Sequence, residues 1–106
     1  MTDRELLEKA AKAAGYQVDQ RASFMTWRES RKLALLNSAG GHTLWNPLTD
    51  DGDALRLAVR LNIPVIPYDD ETSTGTVGVV AKNWGSKEAN TRRAIVRAAA
   101  EIGKAM

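Results

Sequence analysis

The spacing at which apolar residues recur changes several times along this chain, and those changes restrict the fold more than any motif does. In "MTDRELLEKAAKAAG", Leu7, Ala10, Ala11 and Ala14 fall at helical spacing. Thr2 precedes Glu5 by three residues, as in a capping box, and Gly15 offers a left-handed stop, so a helix is predicted over 3–14. Its inward face is mostly alanine, which implies close approach to whatever it packs against. From Tyr16 to Trp45 the runs shorten. "ASFMTWR" and "RKLALLN" carry aromatic or aliphatic residues on either side of Glu29-Ser30, and Gly40-Gly41 separates the second from "HTLW". These features predict strands over 22–28 and 32–37 and a further one over 43–45, with a positive-φ turn at the glycine pair.

The helical period returns after Leu48. Leu55, Ala58 and Leu61 form one face, widened by Ala54 and Leu57, with Arg56 and Arg60 opposite and Asn62 at the end. "IPVIPY" reads as a short edge strand because its prolines cannot donate to a ladder, "DETSTG" as turn material, and the β-branched "TVGVVAK" as a strand. Ser86 caps a last helix running nearly to Met106, with Ile95, Ala98, Ala99 and Ile102 as its apolar stripe. The expected order is α-β-β-α-β-β-α. Because "LALL" and "VVA" are apolar on both faces, the expected α+β fold is a compact αβα sandwich. Its mostly antiparallel sheet has four strands, or five if 43–45 joins, and is covered by three helices in one domain spanning 1–106.

Composition removes several chemistries. The chain has no cysteine and one histidine, His42, so thiolate nucleophiles, disulfides and multi-histidine metal sites within one chain are excluded, and no cofactor is expected. A net charge of +2 does not by itself imply nucleic-acid binding. The N-terminus lacks an uninterrupted apolar signal region and no stretch has the length of a membrane span, so a cytoplasmic location without membrane contact is expected.

Charge is nevertheless segregated along the sequence. In "WNPLTDDGDALRLAVRL", Asp50, Asp51 and Asp53 invite a divalent-cation or magnesium-enzyme reading. Their spacing is not that of an EF-hand loop. A cap at Thr49 or Asp50, with the remaining carboxylates in the first turn, accounts for each of them, because acids near a helix start are worth roughly 0.3 to 1 kcal/mol. A restriction-type nuclease would need an acid two residues before Lys82, where Val80 stands. His42 has no nucleophile assignable to it. Toward the C-terminus, Lys87, Arg92, Arg93 and Arg97 lie at the start and along one face of the last helix, with Trp84 in the preceding turn. Arginines beside helix-start N–H groups, with an indole to stack on a base, define a candidate nucleic-acid or nucleotide site. Solvated helical charge is the alternative.

"WNPLTDDGDALRLAVRL" together with "TRRAIVRAAAEIGKAM" resembles a family of small αβα-sandwich proteins encoded by phages and prophages. The resemblance implies the same architecture and a setting in a host bacterial cell, and carries no catalytic residue. The expectation is therefore a non-enzymatic phage accessory protein that binds a host or phage protein. Nucleic-acid binding through Trp84, Lys87, Arg92, Arg93 and Arg97 is the alternative, and a magnesium enzyme at Asp50, Asp51 and Asp53 a distant third.

Overall fold

The computed structural model describes residues 2–67, 71–73, 80–82 and 86–106, with side chains for those outside 66–85. Helix α1 (Asp3–Ala14) begins with the predicted capping box. The Thr2 hydroxyl accepts from Glu5 N–H, the Glu5 carboxylate accepts from Thr2 N–H, and Gly15 closes the helix at φ 77°. Leu7, Ala10, Ala11 and Ala14 are its buried residues.

The chain then departs from expectation. Residues 20–30 form a helix, α2 (Gln20–Ser30), where a strand over 22–28 is predicted. Asp19 caps it by accepting from Ala22 N–H at 3.1 Å, and Arg31 ends it in the left-handed region at φ 57°. A strand would have needed an apolar inward face, whereas here the only fully buried residue of the helix is Ser23. Its hydroxyl accepts from Ala34 N–H at 2.9 Å, and the Thr26 hydroxyl donates to the Lys32 carbonyl at 2.6 Å. Polar side chains on α2 thus satisfy backbone groups that a neighbouring strand would have paired.

Strands β1 (Leu33–Leu36) and β2 (His42–Trp45) form an antiparallel hairpin in which Leu33 opposes Trp45 and Leu35 opposes Thr43. Gly40 turns it at φ 84°. Leu33, Leu35 and Trp45 face the core. Helix α3 (Asp51–Leu61) follows, capped by Asp50 and closed by Asn62 at φ 53°. Three short strands, β3 (Ile66–Pro67), β4 (Glu71–Ser73) and β5 (Val80–Lys82), make a second antiparallel sheet in the order β3-β4-β5. "DETSTG" therefore supplies strand residues where only a turn is predicted. Of "TVGVVAK", residues 76–79 lie outside the described residues. Helix α4 (Lys87–Lys104) starts at the Ser86 cap, whose hydroxyl accepts from Ala89 N–H.

The expected sandwich is thus corrected. Among the described residues, four helices stand where three were expected, and the strands make a two-stranded hairpin and a separate short sheet, not one layer of four or five. The conversion of 20–30 to helix removes the strand that would have built the first half of such a layer. The packing centre is instead the α1–α4 pair, where Ala10, Ala11 and Ala14 meet the side of α4 bearing Ile95, Ala98 and Ala99. The approach is close at Gly103. A Cβ there would lie 2.9 Å from the Lys9 carbonyl carbon and closer still to its oxygen, so only glycine fits without displacement. Among the described residues, no helix is long and apolar enough to cross a membrane.

Candidate functional site

The acidic turn is built as a helix start. Asp50 accepts from Asp53 N–H at 2.8 Å as the α3 cap. Asp53 reaches back to Asn46 N–H at 3.0 Å with one oxygen and binds Arg56 at 2.7 Å with the other, which ties the end of β2 to the first turn of α3. Asp51 turns outward to Arg92 of α4 at 2.7 Å. Each carboxylate thus has its own backbone or cationic partner, and among the described residues no group of three metal-ligating side chains converges. Asn46 and Pro47, both buried, hold the entry: the Asn46 side chain donates to the Arg31 carbonyl at 2.6 Å and accepts from Leu48 N–H at 2.8 Å.

The basic helix is likewise tied into the fold. Arg92 donates through Nε to the Leu48 carbonyl at 2.8 Å while its guanidinium also holds Asp51, so it fastens the loop before α3 to α4. Arg93 presents both terminal nitrogens to the two carboxylate oxygens of Asp3, at 3.2 and 3.4 Å, a fork that joins the first turn of α1 to α4. Lys87 is exposed at the helix start and Arg97 half-buried further along, and Lys104 pairs with Glu101 at 3.6 Å. Trp84, the proposed stacking residue, lies outside the described residues. Trp45 is a core residue in edge contact with Tyr16, and Trp27 is partly buried beneath the Arg31 guanidinium.

His42 contacts the Asp19 carboxylate at 2.7 Å, linking β2 to the α2 cap. The Asp19 carboxyl is held below its ordinary range, first by the Ala22 N–H and then by this histidine.

One of the concave surfaces on the described residues carries the Asp51–Arg92 pair on its rim. Between α3 and α4 runs a groove of about 380 Å³ whose floor is Ala54, Ala58, Val65 and Ile95, with Asp51, Lys87, Glu88 and Arg92 around it. Leu55 stands on its lip with 64% of its surface exposed, and Val59, one turn on, is 67% exposed. Leu55 is expected from its spacing to be buried, and the structure corrects this. The inward face of α3 is Ala54, Leu57 and Ala58, turned by one residue from the predicted stripe, because Leu57 fills the core and carries Leu55 outward. The groove escapes a reading based on one stripe. Its signal was the breadth of the apolar set itself: Ala54, Leu55, Leu57, Ala58, Val59 and Leu61 encircle most of the helix, more than a one-sided core contact requires.

The chain matches no protein-family model, no curated protein and no solved structure. The resemblance to phage-encoded sandwich proteins is therefore without support from these comparisons. In the structure its two segments form the entry to α3 with the whole of that helix, and the body of α4, roles that packing and capping explain without common ancestry.

Proposed function

We propose that this chain is a non-enzymatic binding protein that receives a protein ligand in the groove between α3 and α4. The observation that carries the reading is Leu55, a large aliphatic side chain exposed in the lining of an apolar groove, with Val59 exposed one turn further along the same helix. Covering such side chains releases about 1.5 to 3 kcal/mol each when burial is complete. Isolated exposed leucines are ordinary; Leu55 in the lining of an apolar groove, with Val59 exposed one turn further along α3, forms an anchor site. The surrounding acids and bases, two of each sign, suit orientation and exclusion of wrong partners more than affinity. An amphipathic helix offering apolar residues at i and i+3 or i+4 fits a groove of this form.

The phage or prophage setting belongs to the same proposal, with a host or phage protein as the ligand. Affinity capture from lysogenic or infected bacteria is expected to retain one reproducible partner with the wild-type chain. Leu55→Asp should lose that partner at an unchanged melting temperature. Equal retention by Leu55→Asp and Val59→Asp would move the site elsewhere, and repeated empty captures would remove the protein-binding reading.

A further inference from the structure

The hairpin is closed along one side and open along the other. On the β1 side, Asp19 N–H donates to the Ala34 carbonyl and Leu36 N–H to the Gln17 carbonyl, both at 2.9 Å, and the Ser23 hydroxyl takes Ala34 N–H. Ala34 and Leu36 therefore point their backbone groups away from β2, and by the alternation of an antiparallel ladder Leu33 and Leu35 bond to Trp45 and Thr43. It follows that His42, Leu44 and Asn46 direct their N–H and C=O groups outward from β2. Asn46 is satisfied there: its N–H donates to the Asp53 carboxylate, and its carbonyl accepts from Thr49 and Asp50 N–H. His42 and Leu44 have no backbone partner on this side among the described residues, and the side chains of 42–44 are exposed.

We infer that β2 pairs with β2 of a second copy of this chain, antiparallel about a two-fold axis at Thr43. The open groups fix this register. His42 lies opposite Leu44 of the second copy and Leu44 opposite its His42, each pair exchanging both N–H···O bonds, with the two Thr43 residues meeting as the close, non-bonded pair at the axis. Threonine is among the residues that pair well across strands at such a position.

Two further features fit this arrangement. Asp53 stops the ladder at Asn46, so only the two residues between the turn and that stop remain to pair. The register also carries Gly40-Gly41 of the second copy past Asn46 and the α3 start, where the absence of side chains leaves room. Ala34, Leu36, His42 and Leu44 share one face of the hairpin, and Leu36 and Leu44 are 44% and 46% exposed; pairing extends that apolar face across the axis. A contact of two residues per strand buries far less than the roughly 1,200 to 2,000 Å² of a stable complex, so the dimer is weak and forms with rising concentration. The inference is independent of the groove between α3 and α4, which lies on other elements.

The chain has no cysteine, so a single introduced thiol reports the register directly. Under mild oxidation Thr43→Cys is expected to give a covalent dimer, because the axis brings the two Cα atoms within disulfide range, whereas His42→Cys and Ser38→Cys stay monomeric. By sedimentation across concentration the unmodified chain should move toward twice the monomer mass. Leu44→Pro, which removes the outward N–H and leaves the β1 ladder intact, should weaken association roughly tenfold or more. A chain that stays monomeric throughout, with no cross-linking at Thr43→Cys, overturns the inference. So does self-association that Leu44→Pro leaves unchanged and that cross-links as readily through Ser38→Cys, since the contact would then lie on another face. If the edge pairs only with an extended peptide of a different protein, Thr43→Cys fails to cross-link to itself and the inference also falls.

Discussion

Gly103→Ala sets two effects of opposite sign against each other. Alanine is better than glycine in a helix interior by up to about 1 kcal/mol, so propensity alone makes the substitution stabilising. The α1–α4 contact argues the reverse. An added Cβ would stand 2.9 Å from the Lys9 carbonyl carbon and nearer its oxygen, both backbone atoms that no rotamer change can move. Restoring ordinary contact beyond 3.4 Å means displacing one helix from the other along an interface whose core neighbours are mostly alanines, with few flexible side chains to refill the gap. Overpacking of this kind costs about 1 to 3 kcal/mol. Gly103 lies one residue before the end of α4, so unwinding of the last turn places the expected value toward the lower part of that range. Urea denaturation followed by far-ultraviolet circular dichroism should give a net loss of roughly 1 to 2 kcal/mol at an unchanged slope. A gain in stability would refute the close helix contact on which the description of the core rests.

Leu57→Ala should cost about 2 to 5 kcal/mol and Leu55→Ala no more than about 0.5, because the first side chain is fully buried and the second largely exposed; thermal and chemical melts read both. Ser23→Ala strips Ala34 N–H of its acceptor in a buried position and should cost about 1 to 3 kcal/mol, with hydrogen exchange at Ala34 accelerating in step. The carboxyls of Asp19 and Glu5 are both held below their ordinary range, Asp19 first by the Ala22 N–H and Glu5 first by the Thr2 N–H. Their contribution is complete above the unfolded values near pH 4 and fades as pH falls through the lower folded ones; Asp19→Asn should flatten that acid-side loss, and an unaltered pH profile would contradict it. Asp51→Asn should lower stability by less than about 1 kcal/mol, since its ion pair with Arg92 is exposed on the aspartate side.

What was legible in the sequence was the local chemistry of helix ends. Thr2 with Glu5, Gly15, Asn62 and Ser86 take the expected roles, and the α3 cap falls to Asp50, one of the two candidates with Thr49, because capping depends on residues a few positions apart. Residues 20–30 depart from the strand that their aromatic content predicts over 22–28, because the deciding contacts, Ser23 to Ala34 and Thr26 to Lys32, are made by hydroxyls to a backbone that only the folded chain brings close. That one element alters the layering of the described residues. At the candidate site, the acids were legible as caps, but their links across elements were not. Asp51 meets Arg92 and Asp3 meets Arg93 over sequence separations that no periodicity records. The outward turn of Leu55 was hidden for a related reason: a helix apolar around most of its circumference does not say which side faces in until Leu57 finds the core.

The central claim is that the charged clusters fasten the fold while the groove beside Leu55 does the binding. It is tested most directly by recording backbone amide shifts of the labelled chain as the captured partner is titrated in. The account predicts perturbations centred on Leu55, Ala58, Val59, Val65 and Ile95. Perturbations centred instead on Arg93 and Arg97, with the α3 amides unmoved, would contradict it.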